Sequence, residues 1–283
     1  MVIGKNGQVG GELLKVLPSS FDITATDRST LDLANPAEIA SVIRAVKPDV
    51  IINAAAYTAV DKAESDQAAA QAVNAVAPGV MADAAKSIGA LLVHYSTDYV
   101  YDGRKESPYT EDDAPAPLGV YGRTKLDGER AIQASGCRHL ILRTEWVYGP
   151  YGANFLLTML RLAASRPELR VVDDQFGAPT SARAIAEATA RILAGGIPQN
   201  SGLYLMTAAG QTTWCGFARA ILAGSGSKVP VIAIPTKDYP TPAARPRNSV
   251  FDNSRFDKRF GFRLPAWEEG LRQCLKTLSE TNS

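Results

Sequence analysis

Tyr121 and Lys125 stand four residues apart in VYGRTK at 120–125. If both lie on a helix they share one face, one turn apart. A phenol is an ordinary proton donor only near its reference pKa of about 10. A neighbouring ammonium that lowered it toward about 7 would supply roughly 4 kcal/mol of charge stabilisation. The same spacing occurs at Tyr101-Asp-Gly-Arg-Lys105, where Asp102-Gly103 is a turn signal, so that copy is expected in a loop. Segment 121–135 instead holds good helix formers, with Leu126, Ala131 and Ile132 on an apolar face and Gly136 as a stop. A third group completes the chemistry. HYSTDYVYDG places Ser96, Thr97 and Asp98 at the end of an apolar run, where a hydroxyl can bind a substrate carbonyl while a tyrosine protonates it. Taken singly, each of these residues has a plain structural reading; together they make a set that can bind and protonate a carbonyl.

A phosphate-binding turn precedes them in the chain. Gly4-Lys-Asn-Gly7-Gln-Val-Gly10 follows a short apolar run directly and opens a helix, so its backbone can approach a pyrophosphate. Only three residues precede Gly4, and the reading is that part of the first strand is missing. About twenty residues further on, Asp27 is placed to hold ribose hydroxyls and Arg28 to meet a 2′-phosphate. NADH and NADPH therefore both remain open. Asp32 and Leu33 either line an adenine pocket or simply approach the next helix.

The elements that must position these residues alternate. Met1–Ile3, Phe21–Thr26, Val50–Asn53, Leu91–Ser96 and Leu140–Arg143 are expected as buried strands, and 8–17, 36–46, 67–88 and 121–135 as helices. The fold class this implies is α/β, a Rossmann-type doubly wound parallel sheet. The rhythm loosens after Tyr148-Gly149-Pro150: a helix near 153–165, a strand at 169–172, a helix at 181–194, then a proline-dense stretch from 228 to 250. Residues 1–145 are assigned to the dinucleotide-binding domain. Residues 146–283 form a smaller C-terminal α/β substrate domain, with later segments free to return to the first; the tail after Leu278 is expected to fray. With 46% hydrophobic residues and a net charge of +1, the chain can bury an ample core and has no basic, aromatic-studded run for nucleic acid. Three widely separated cysteines read as reduced thiols, hence a cytoplasmic location; neither a signal peptide nor a membrane span is expected. His94 and His139 lack a second ligand at metal spacing and are assigned to packing or surface.

On GKNGQVG (4–10), PDVIINAAAYTAVDKAE (48–64), VHYSTDYVYDG (93–103), VYGRTKLDGE (120–129), LRTEWVYG (142–149), VVDDQFGAPT (171–180), TTW (212–214) and YPTPAARPRNS (239–249), the chain resembles the extended short-chain dehydrogenase/reductases. AVDKAE, RTEWVYG, DQFGAPT and TPAARPRNS point to the branch that reduces dTDP-linked 4-keto sugars. The resemblance implies reduction of the C4 ketone of dTDP-6-deoxy-L-lyxo-4-hexulose to dTDP-L-rhamnose by NADPH or NADH. It casts Tyr121 as proton donor, Lys125 as the group that lowers its pKa and holds the nicotinamide ribose, and Thr97 as the group that polarises the ketone. Asp98 and Trp146 would contact the sugar, Val60 and Arg245 the nucleotide. Gly7, Gln8 and Val9 would face the pyrophosphate, and Ala55, Ala56 and Tyr57 would line the rest of the cofactor groove.

The chain also departs from that family's pattern. Gly119 stands where an asparagine is usual, which is expected to loosen the substrate loop or remove a sugar contact. Glu12 and Glu268 match two glutamates of a magnesium site shared between subunits in some relatives, but Arg183 replaces a third. A homodimer stays open, a metal-bridged one is disfavoured. A dehydratase on this fold needs an Asp-Glu pair after the threonine, whereas Thr97 is followed by Asp98-Tyr99. A non-catalytic relative, similar to the regulatory subunit of methionine adenosyltransferase, would not need Thr97, Tyr121 and Lys125 together.

Overall fold

The computed structural model describes residues 1–281. Its elements are β1 (Val2–Ile3), α1 (Gln8–Val16), β2 (Ala25–Thr26), α2 (Pro36–Val46), β3 (Val50–Asn53), α3 (Val60–Ala63), α4 (Gln67–Gln71), α5 (Ala77–Ile88) and β4 (Leu91–Thr97). They continue with α6 (Val120–Ser135), β5 (Arg138–Thr144), β6 (Val147–Tyr148), α7 (Phe155–Ala163), β7 (Leu169–Val172), β8 (Phe176–Gly177), β9 (Thr180–Ser181), α8 (Ala182–Ala194) and β10 (Gly202–Leu205). The remainder is β11 (Thr212–Thr213), α9 (Trp214–Gly224), β12 (Val231–Ile234), α10 (Ser254–Phe260) and α11 (Trp267–Thr281).

Six strands form a parallel sheet in the order β10-β5-β4-β3-β1-β2. Alternation of side chains across the pleat splits its core in two. Val2, Ile52, Leu91, Val93 and Leu140 pack with Leu13 of α1 and Ile185 and Ile192 of α8. Ile3, Ile51, Leu92 and Ile141 pack with Ile39 and Ile43 of α2 and Met81 and Ala85 of α5 on the other face. The order reverses between β1 and β3, and ligands of such sheets bind outside the strand ends at that crevice. The turns after β1, β3 and β4 therefore converge on it. A separate cluster joins α7, α9 and α11 through Leu156, Met159, Phe217, Ile221 and Leu271.

Three expectations are corrected. Strand β2 covers only Ala25–Thr26, because its partner β1 offers only Val2 and Ile3 for pairing. The helix expected over 67–88 is interrupted by a π-turn at Ala72–Val76. Pro78, just beyond, has no N–H to return to the carbonyl of Asn74, and a widened turn absorbs the lost bond. The tail does not fray at Leu278: α11 runs on to Thr281, and the last two residues lie outside those described. The Tyr101–Lys105 copy of the spacing lies in a loop, with Gly103 at φ +72°.

Candidate active site

The first turn of the crevice is cleared for a ligand. Gly4 adopts φ +91°, and a Cβ on Gly10 would stand 2.1 Å from the Gly4 carbonyl oxygen. Only glycine permits that closure. Helix α1 starts at Gly7 with no side-chain cap and no acidic residue in its first turn, which leaves N–H groups and the positive end of the helix for an anion. These features fit the pyrophosphate of a dinucleotide. Gln8 accepts a hydrogen bond from the Asn154 amide at 2.9 Å, which ties this turn to the start of α7, and Val9 packs against the first core cluster.

Asp27 accepts from the Asn6 amide at 2.9 Å and pairs with Lys5 at 3.3 Å, so it organises the loop from behind. Bonds from Ser29, chiefly its hydroxyl, hold the Asp27 carboxyl well below the usual range. Arg28 is exposed and enters no ion pair among the described residues. Asp32 is exposed too, and accepts from the Ala34 N–H at 2.9 Å. This is the geometry of an approach to α2, while Leu33 packs on the second core cluster. After β3, Ala55, Ala56 and Tyr57 are partly exposed along the crevice. Tyr57 is held by Asn74: its N–H donates to Asn74 Oδ1 at 2.8 Å, and the Asn74 amide returns to its carbonyl at 3.1 Å. Sequence reasoning missed Asn74; the signal was a buried-size amide four residues before Pro78 inside an alanine-rich helix.

The third turn carries the proposed chemistry. Thr97 ends β4, donates to Asp98 Oδ1 at 2.9 Å and accepts from the Tyr99 N–H at 3.2 Å. Ser249, from the segment after the prolines, donates to Asp98 Oδ2 at 2.7 Å. Burial still pushes the Asp98 carboxyl up to about 6, against those two hydroxyls. Tyr121 is partly exposed in the first turn of α6, with its ring edge-on to Tyr99 at 5.4 Å. Burial raises its pKa to about 12; the Thr97 hydroxyl pulls it down and the Asp98 charge pushes it up. Lys125 is 2% exposed; its Nζ donates to the Tyr95 carbonyl at 2.7 Å and lies 3.2 Å from His94 Nε2. Tyr121 and Lys125 lie one turn apart in α6, as their spacing predicts. His94, assigned to plain packing, touches Lys125 directly.

Helix α6 is fixed in place from both ends. Glu64 accepts from the Val120 N–H at 2.8 Å, and a Cβ on Gly119 would stand 2.5 Å from that same oxygen. Gly119 therefore makes room for a distant cap. Deeper in, Glu129 and Arg143 form a two-point ion pair at 2.9 and 2.6 Å that locks α6 onto β5.

The far wall comes from the later half of the chain. Trp146 holds φ +46° and stacks on Trp214 at 3.5 Å, an orientation that leans on Gly177, where a Cβ would meet the indole at 2.6 Å. Glu145 beside it is 1% exposed; Oε1 accepts from the Ala178 N–H and Oε2 has no partner among the described residues. Burial, then the Asp98 charge, raises its carboxyl well above the ordinary range. Arg245 donates to both oxygens of Asp61 at 3.1 and 2.8 Å and to the Ala243 carbonyl. It braces the proline-rich segment against α3, which Val60 begins, and also lines a cavity of about 580 Å³ with Lys105, Phe176, Gln211 and Arg247. Midway along α1, Glu12 accepts from Lys15 and Tyr151 and faces Arg183 at 3.5 Å, while Glu268 is exposed on α11. A divalent cation at Glu12 would meet a guanidinium, so these residues do not fit a bridging magnesium.

A family model described as the RmlD substrate binding domain matches residues 1–280. The dTDP-4-dehydrorhamnose reductase of Burkholderia thailandensis is 49% identical over 98% of both chains. That of Escherichia coli K12 is 44% identical over 100% of this chain and 99% of its own. The crystal structure of dTDP-4-dehydrorhamnose reductase from Bacillus anthracis in complex with NADP superposes with a TM-score of 0.93 at 35% identity, covering 98% of each chain. With a match of that extent laid over a glycine-cleared crevice and a Thr97–Tyr121 pair, the chain belongs to the RmlD substrate binding domain family.

Proposed function

We propose that the protein is an NAD(P)H-dependent oxidoreductase that reduces the C4 ketone of dTDP-6-deoxy-L-lyxo-4-hexulose to the alcohol, giving dTDP-L-rhamnose. The observation that carries this reading is the meeting of Thr97 and Tyr121 at the end of β4, beside a turn whose glycines leave room for a pyrophosphate. A bound NAD(P)H would supply the hydride to the carbonyl carbon. The remaining work belongs to the chain. Thr97, its single O–H turned from Asp98 to the ketone oxygen, donates a hydrogen bond there, and Tyr121 gives that oxygen its proton as charge develops on it. Lys125 supports the phenol and the ribose, while Gly4, Gly7, Gln8, Val9 and Gly10 carry the pyrophosphate. Ala55, Ala56 and Tyr57 border the same groove, and Asp27 and Arg28 face the adenosine end. On the substrate side Asp98 and Trp146 orient the sugar, and Val60 and Arg245 the nucleotide, with residues 146–283 acting mainly as the substrate-binding part. The expected setting is the cytoplasm; among the described residues no helix is long and apolar enough to cross a membrane.

The test is NADPH and NADH oxidation, followed by absorbance, with the 4-keto sugar nucleotide made in situ by a 4,6-dehydratase and a 3,5-epimerase. Oxidation that requires the epimerase and collapses in Tyr121→Phe supports the proposal. Folded protein that binds either dinucleotide and oxidises neither overturns it and favours a regulatory-subunit role.

A further inference from the structure

Among the described residues two other than glycine have positive φ: Lys47, which caps the end of α2, and Trp146. At φ +46° a side chain as bulky as indole crowds its own backbone, so the conformation persists only where the surroundings impose it. Those surroundings come from later in the chain. Strand β11 pairs with β8, Thr212 opposite Gly177 and Thr213 opposite Phe176, and Trp214 is the next residue. Gly177 lies against Trp146, where a Cβ would meet Cε2 at 2.6 Å, so the pairing brings the two tryptophans together. Their rings are 3.5 Å apart and 8° from parallel. Aromatic pairs prefer offset or edge-on arrangements to a direct overlay, so this one is set by what anchors each ring.

Trp214 is firmly anchored. Thr213 accepts from the Gly216 N–H at 2.9 Å and donates to Asp173, which fixes the first turn of α9, and Phe155 of α7 packs on Trp214 at 4.6 Å. The stack also spans two cores. Val147, next to Trp146, packs on the sheet cluster, whereas Trp214 packs on the cluster of α7, α9 and α11. Pairing of β4 with β5 sets Thr144 beside Thr97, so Glu145 emerges next to Asp98 and Trp146 follows at the rim of the crevice. Both indoles are partly exposed there.

We propose that Trp214 is a positioning residue: it clamps Trp146 in its left-handed conformation and so fixes an indole wall for the apolar face of a sugar ring. That a sugar meets this wall rests on the function proposed above; the clamp does not. Without the second indole no aromatic ring stacks on Trp146 among the described residues, and its ring would have to be ordered again each time a ligand bound.

The clamp is read without any ligand. An overlaid indole pair gives an exciton couplet in far-ultraviolet circular dichroism, and the chain has three tryptophans. The expected result is a couplet in the wild type that Trp146→Phe and Trp214→Leu each abolish and Trp267→Phe leaves in place. A wild type without that couplet, or a couplet that survives Trp214→Leu, overturns the proposal. The wall is read by calorimetry with dTDP and with dTDP-L-rhamnose, which differ by the sugar, on variants whose urea midpoints show them folded. Trp214→Leu should weaken dTDP-L-rhamnose about tenfold and leave dTDP within about twofold, the cost of ordering a side chain that the wild type holds in advance. Trp214→Phe, which keeps a flat ring, should recover most of the loss. Equal loss for both ligands, no loss for either, or no recovery with Trp214→Phe overturns the proposal. A wild type that shows the couplet and binds neither ligand would instead sink the dTDP-sugar reading and leave the clamp on Trp146 standing.

Discussion

Asp27 and Asp98 each follow the carboxyl end of a parallel strand and face the same crevice, yet their carboxyls move in opposite directions. Asp27 is near solvent and surrounded by donors from Ser29, Asn6 and Lys5, which favour the anion. Asp98 is 3% exposed, meets the Thr97 and Ser249 hydroxyls and the N–H groups of Asp98 and Tyr99, and has Glu145 as a buried acidic neighbour. Strand-end position therefore does not set the charge; with donors at both, the depth of burial does. One rim of the crevice carries an acid that its donors keep ionised, the other a pair of acids whose carboxyls burial raises. The sign for Asp98 follows. Its folded pKa is raised, so the stability it contributes is full below its ordinary value of 3.8 and is lost as pH rises through about 6. Asp27 is lowered, so its contribution is present above 3.8 and lost as pH falls below that.

The harshest way to break the scaffold side is Gly10→Ala. Its Cβ would stand 2.1 Å from a backbone oxygen, so dinucleotide affinity is expected to fall at least about 100-fold and stability by about 1–3 kcal/mol, read by fluorescence titration and urea unfolding. Intact NADPH binding would show that the turn can relax. On the acid side, Asp98→Asn removes an ionisation that costs on the order of 3 kcal/mol above about pH 6. Unfolding curves at pH 4.5 and pH 7 should then differ less than in the wild type; an equal difference would place the titration elsewhere. Glu64→Ala strips the distant cap from Val120 and should cost about 1 kcal/mol, with KM for the sugar nucleotide rising more than kcat falls. Loss of kcat alone would contradict a role confined to positioning α6. The smallest effect belongs to Asp27→Asn, which keeps a hydrogen-bond acceptor. Stability should stay within about 0.5 kcal/mol while KM for the dinucleotide rises a few-fold, and a collapse of stability would make Asp27 part of the fold itself.

How much of this was legible in the sequence depends on the range of each interaction. The chain alone determined the glycine turn at Gly4–Gly10, the strand and helix alternation that makes the parallel sheet, and the placing of Tyr121 and Lys125 one helical turn apart. These are local properties: backbone freedom at glycine, the periods of apolar residues, and capping and stop signals within a few positions. The tertiary structure decided the partners. Arg245 chooses Asp61 across 184 positions, Glu64 caps α6 across 56, and β10 pairs beside β5. His94 meets Lys125 because β4 lies under α6, and Asn74 holds Tyr57 through a π-turn that the alanine-rich helix pattern conceals. Burial was equally invisible, since one carboxyl type reads the same at 27 and 98. A sequence records which groups can ionise; only the packed chain fixes which donors reach them and how much water is left.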